Sequence, residues 1–181
     1  MKIFSREGYL GGTTREIAKE AGIAEVTLFR HFPSKEKLFE EMITRYSFLP
    51  TLKGLLPEVE DMPYRQALSE IARKFLERLY ERRDLIRIMH SEMHRYPDKI
   101  RKIHHGFIDE MFDTLASYFK KMQRKGTLRK FSAEFGARAF LGTFFSYFNA
   151  QELMMRKRYR FEDTDRTIQE FIEIFIKGTS K

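Results

Sequence analysis

Apolar residues recur at spacings of three and four along nearly the whole chain, and the period-two alternation of a strand is missing. The pattern predicts an all-α protein. Near the start it is cut into short pieces. A helix over residues 1–7 stops at Gly8, and Thr13-Thr14-Arg15-Glu16 opens a second that ends at Ala21-Gly22. A third covers about 24–31, and Pro33-Ser34 separates it from a fourth that runs to about Tyr46. Thr13 with Glu16 has the spacing of a capping box, and Ser34 suits an N-cap. Residues 50–63 hold Pro50, Pro57, Pro63 and Gly54 and read as a boundary. Beyond it, longer helices are predicted over 63–82, 84–95, 97–124, 132–156 and 164–177. Pro63 and Pro97 suit first turns, Gly126 and Gly178 suit helix ends, and Ser132 and Thr164 suit N-caps. The expectation is about nine helices in two domains: residues 1–47, with a shortened first helix, and an antiparallel helical bundle over 48–181.

The short helices share one inner face of Ile17, Ala18, Ala21, Ile23 and Leu28. Ala18 is small where two helices cross, Gly22 can take the left-handed turn between them, and Ile23 fills the gap after it. Leu28 and Phe32 anchor the next helix. This is helix-turn-helix spacing, in which a compact tripod offers its second helix outward.

Composition narrows the class. Hydrophobic residues make up 42% of 181, which excludes a wholly disordered chain. With no cysteine there is neither a disulfide framework nor a thiolate metal site, which fits a reducing cytoplasm. No apolar run approaches the roughly 20 residues of a membrane helix, and a signal peptide is missing, so no membrane partner is expected. A single asparagine, Asn149, beside 33% charged residues suggests a thermophilic source. The net charge is +8, but residues 1–47 hold 8 Lys/Arg against 7 Asp/Glu, while 63–181 hold 25 against 16. Charge by itself does not single out the helix-turn-helix segment for nucleic acid.

The stretch "TTREIAKEAGIAEVTLFRHFPSKEKLFEEM" resembles the DNA-binding domain of the TetR family of bacterial transcriptional regulators. Its tract "TLFRHFPSKEKL" is similar to that family's recurrent Thr-Leu-Tyr-x-His-Phe-x-x-Lys-x-x-Leu. The resemblance implies a recognition helix in the major groove of a double-stranded operator, reading base edges with Ala24, Glu25, Val26 and Thr27. Glu25 would accept from a cytosine amino group, Val26 and Thr27 would pack on a thymine methyl, and Arg30 would reach guanine or phosphate. His31 and Lys35 would bind phosphate, with Thr13, Thr14 and Arg15 on the other strand's backbone. Phe29 stands where the family usually has tyrosine, so a phosphate bond from that hydroxyl is lost. Family members also carry about two further helical turns ahead of "KIFSREGY", so an upstream or truncated start is expected.

The later helices are rich in Phe and Met. Core packing accounts for most of them. The family implies a ligand cavity as well, and Met89, Met93, Phe107, Met111, Phe140 and Phe144 would line it. Such a lining suits a hydrophobic effector, a fatty acyl compound or an apolar drug. His90 and His94 lie one turn apart, but "HSEMH" is not the zinc-protease pattern, and no metal or cofactor is assigned. Without a nucleophile motif, an enzyme is not expected. Ile168, Phe171, Ile172 and Phe175 form a helical stripe, widened by Ile174 and Ile176. With the small residues Gly136, Ala139, Gly142, Thr143 and Ser146 it points to a homodimer through the last two helices. The reading is a cytoplasmic, ligand-responsive, sequence-specific DNA-binding regulator, a repressor released by a hydrophobic small molecule. The alternative is a lipid or acyl-group binding protein with a lapsed DNA-binding domain.

Overall fold

The structure, a computed structural model, describes residues 2–153 and 164–180. Met1, Met154, Met155 and the expected helix end at 156 lie outside them. The described residues are almost entirely helical. In chain order they form α1 (Lys2–Gly11), α2 (Thr14–Glu20), α3 (Glu25–His31), α4 (Lys35–Tyr46), α5 (Leu49–Val59), α6 (Tyr64–Glu81) and α7 (Arg83–Glu92). A short 3₁₀ turn (Met93–Arg95) leads to α8 (Asp98–Arg124), α9 (Ala133–Phe148), a π turn (Asn149–Leu153) and α10 (Thr164–Thr179).

Most boundaries follow local chemistry. Thr13 and Glu16 close a reciprocal capping box on α2. Ser34 accepts from the Lys37 N–H and Ser132 from the Phe135 N–H. Helix α2 ends in a Schellman arrangement: the Ile23 N–H reaches the Ala18 carbonyl at 3.0 Å and the Gly22 N–H that of Lys19 at 3.1 Å. Gly22 takes φ of 69°, the left-handed turn that the sequence asked for. Ile23 does not plug the gap behind it and stays 39% exposed, because the turn sends its side chain outward.

Helix α5 occupies the stretch expected to be a linker. Pro50 lies in its first turn, where a missing N–H costs nothing, and Pro57 is carried inside the helix. Leu49, Leu52 and Val59 bury one face, which outweighs the proline.

Packing divides the chain into two compact units, and the division does not follow a cut at residue 47. The first unit joins residues 1–47 to residues 82–108; the second holds 48–81 and 109–181. In the first unit, Phe4, Tyr9, Phe39, Met42 and Ile43 share a core with Leu85, Met89, Tyr96 and Ile100. Phe39 sits at its centre, 5.3 Å from the Phe4 ring and 4.9 Å from that of Tyr9. In the second unit, Phe119 packs against Phe131, Phe140 and Phe175 at 5.9, 6.4 and 5.7 Å. Arg129 clasps the chain end there, with its N–H on the Thr179 carbonyl (3.1 Å) and its Nε on that of Gly178 (2.6 Å).

The stripe on α10 faces its own unit. Ile168 and Ile172 are buried, Phe171 meets Phe144 edge-on at 5.7 Å, and Phe175 meets Phe140 edge-on at 5.1 Å. These four residues therefore do not form an outer face. The large apolar residues left exposed on α9 and α10 are Phe135 (76%) and Ile174 (70%).

His104, in the first unit, gives a pH test. Burial, then the charges of His105 and His90, push it from 6.5 down to about 4, and its Nδ1 is buried without a partner. The unfolded chain therefore takes up a proton below 6.5 that the folded chain refuses until about 4. Stability is expected to drop as the pH is lowered from about 6.5 to about 4, by about 1.4 kcal/mol per pH unit. Urea titrations at several pH values should show this slope, and His104→Phe should remove it.

Candidate nucleic-acid interface

Helix α3 buries a single residue, Leu28, against the tripod. Everything else on it is left to solvent or half covered. Val26 is 64% exposed and Phe29 41%. Ala24, Arg30 and His31 are exposed as well, and Thr27 is half-buried. On α2, Thr13 and Arg15 are exposed and Thr14 is half-buried. A helix anchored by one leucine and bare elsewhere has the form needed to enter a groove.

Glu25 is not free. Its Oε1 accepts from the Thr14 hydroxyl at 2.7 Å, and Arg15 Nε lies 3.8 Å from its Oε2. Three of the predicted contact residues are thus brought together at the α2–α3 junction. The hydrogen bond fixes the carboxylate beside the start of α3, which leaves Val26 as the unencumbered residue of the first turn.

Lys35 opens α4, and its ammonium lies over the Tyr9 ring, 4.6 Å from the centroid. Burial lowers the Lys35 pKa, partly offset by Glu36, Glu92 and Glu16. The Tyr9 hydroxyl donates to Glu36 at 3.2 Å, and burial first, Glu36 second, raises it to about 12.

The electrostatics differ from the linear reading. Residues 82–108 contribute seven Lys/Arg and three Asp/Glu, so the first unit carries 15 basic against 10 acidic residues, a net of +5. Folding places basic residues from the later helices in the same unit as the helix-turn-helix, where a phosphate backbone would benefit.

A family model of bacterial regulatory proteins of the TetR family matches residues 1–42. A second, the C-terminal domain of AefR-like transcriptional repressors, matches residues 66–178. The chain belongs to the TetR family. Like other TetR-family members it is a DNA-binding transcriptional regulator. It is 28% identical over 180 residues to the uncharacterised HTH-type transcriptional regulator YvkB of Bacillus subtilis (strain 168), covering 99% of this chain and 93% of that protein. Its fold is similar to that of a candidate TetR-family regulator from Mesorhizobium loti MAFF303099 (TM-score 0.77, 22% identity, 99% and 92% of the two chains). It is similar also to FadR from Bacillus subtilis in complex with stearoyl-CoA (TM-score 0.73, 17% identity, 98% and 94%).

The expected pocket residues of this TetR-family chain fall into two groups. Met89 is buried in the first unit's core, with Met93 and Phe107 packed against it. Met111, Phe140 and Phe144 are buried in the second unit. An open cleft of about 400 Å³ in that unit is lined by Arg73, Leu76, Glu77, Tyr80, Thr164, Asp165 and Ile168, none of them among the six. Sequence reading missed Tyr9, Glu36, Glu92 and Tyr96 around Lys35. Glu92 bonds to Tyr9 across 83 positions, a separation that leaves no periodic signal.

Proposed function

We propose that this regulator is a homodimeric repressor whose α3 helices enter successive major grooves, roughly 34–36 Å apart, and which a fatty acyl effector releases. The observation that carries the reading is α3 itself, anchored through Leu28 with Val26, Phe29, Arg30 and His31 facing outward. Val26 and Thr27 supply apolar contact to thymine methyls. Arg30 reads guanine or phosphate, and Thr13, Arg15, His31 and Lys35 grip the backbone. The bridge from Thr14 to Glu25 holds the reading edge of α3 in register.

For the dimer, the support is Phe135 and Ile174, large apolar side chains left in water on α9 and α10. Ala139, Thr143 and Ser146 are exposed on α9 at one helical face with Phe135, and their size permits close approach. Phe135→Glu is expected to leave a monomer by light scattering at concentrations where the parent is a dimer. A dimer unchanged by that variant would refute the interface.

For the effector, the support is a fold shared with a protein crystallised with stearoyl-CoA, together with the aromatic interior of the second unit. Met111, Phe140 and Phe144 are the proposed acyl contacts; Met89, Met93 and Phe107 serve the first core. Fluorescence anisotropy on the chain's own upstream DNA tests the whole reading. A DNA-bound dimer whose Kd rises at least about tenfold with stearoyl-CoA is expected, within the usual span of allosteric coupling. Binding that ignores every long-chain acyl-CoA would sink the effector, and no binding at low salt would sink the regulator.

A further inference from the structure

Glu92, the last residue of α7, reaches the helix-turn-helix through a break in α1. Gly8 takes φ of 71° and ψ of −176°, which interrupts α1 and frees the Tyr9 N–H from its helical partner. Glu92 Oε2 accepts that N–H at 3.2 Å and the Tyr96 hydroxyl at 3.0 Å. The carboxylate lies where a side chain at Gly8 would be, so only glycine admits it. Tyr9 is then fixed from three sides. Glu92 holds its backbone, Glu36 takes its hydroxyl, and Phe39 and Tyr96 meet its ring edge-on at 4.9 and 5.8 Å. The Lys35 ammonium rests on that ring.

We propose that Glu92 is a positioning residue for DNA: it fixes Tyr9, and Tyr9 presents the Lys35 ammonium to a phosphate. A ring face suits this task. It holds a cation in place through its quadrupole without neutralising it, as a carboxylate partner would, so the full charge stays available to a phosphate. Glu92 touches no nucleic acid itself. It acts from α7, a helix more than forty positions beyond the recognition segment in sequence and joined to it by packing within the first unit. The proposal rests on the DNA-binding reading above.

Two measurements separate the proposal from that reading. The first uses the DNA-free protein. In NMR spectra the Lys35 side-chain protons should be shifted upfield by the Tyr9 ring, and Glu92→Ala should move them towards free-lysine values, with Glu92→Gln, which keeps an acceptor, in between. Unmoved signals would overturn the proposal whatever the DNA does. The second is anisotropy on a mixed-sequence duplex over a salt series. Lys35→Ala should flatten the dependence of log K on log salt by about 0.9 for each phosphate no longer neutralised. Glu92→Ala should weaken binding about tenfold in the parent, the usual strength of one charge-assisted hydrogen bond, and add nothing in the Lys35→Ala background. An equal loss in both backgrounds would show Glu92 to be structural only and overturn the proposal. If Lys35→Ala leaves affinity and slope unchanged while the NMR signals respond, the brace exists but serves no phosphate, and the proposal fails on its functional half. A parent that binds no duplex at low salt fails the DNA-binding reading instead.

Discussion

Phe39→Ala is expected to cost about 3–5 kcal/mol, the range for emptying a phenylalanine site in a core that cannot collapse. Phe39 is fully buried on α4, and its ring meets Phe4, Tyr9 and Tyr96 edge-on. Those partners come from α1 and from the residue that closes the 3₁₀ turn ahead of α8, held by different backbones. Relaxation of one cannot fill the space left by the ring without dragging the others. Chemical denaturation should show the midpoint falling with little change in slope. Operator affinity should fall with it, because Tyr9 and Lys35 lean on the same ring cluster. A loss below about 1 kcal/mol would mean that the cluster is looser than its geometry indicates.

Gly8→Ala is the second large effect. Two costs add. A φ of 71° with ψ of −176° lies in a region essentially reserved for glycine, and placing a Cβ there costs on the order of 1–3 kcal/mol. The new methyl would also lie 2.6 Å from Glu92 Oε1 and nearer still to Oε2, so the carboxylate must swing away. That strands the Tyr9 N–H and the Tyr96 hydroxyl, at about 1–3 kcal/mol for a buried group left unpaired. Gly22→Ala is the internal control. It closes the Schellman turn with φ of 69°, a conformation that a Cβ tolerates at roughly 1–2 kcal/mol, and nothing lies within 4 Å of its Cβ position, so only that milder backbone cost is expected there. Pairing Gly8→Ala with Glu92→Ala isolates the carboxylate. In a Glu92→Ala background, Gly8→Ala should cost less than in the parent and keep only its own backbone penalty. An equal cost for Gly8→Ala in the parent and in the Glu92→Ala background would show that the carboxylate yields freely.

The features legible in the sequence are those decided within a few residues. The Thr13–Glu16 box, the turn at Gly22 and the caps at Ser34 and Ser132 each depend on one side chain and its nearest backbone N–H groups. The outward face of α3 followed from the same local logic, since one leucine anchors it. What could not be read is non-local. Helix α5 was hidden because Pro50 and Pro57 signal a break, and only packing against another helix decides otherwise. The α10 stripe suggested an outer surface because its breadth exceeds a usual helix face. Phe144, Tyr147, Phe140 and Phe119 supply the aromatic wall that absorbs it. Nothing in the spacing of Met89, Met93 and Phe107 reveals that the core they join is shared with α1 and α4.

That borrowed core bears on any attempt to transplant the operator-reading head. A chimera spliced after Ser47 would carry Phe4, Tyr9 and Phe39 to a new body and leave Leu85, Met89, Tyr96 and Ile100 behind. The graft would arrive with half its interior uncovered. Swapping specificity between relatives therefore calls for moving two separated stretches together, 1–47 and 82–108, or for rewriting the handful of side chains where they meet.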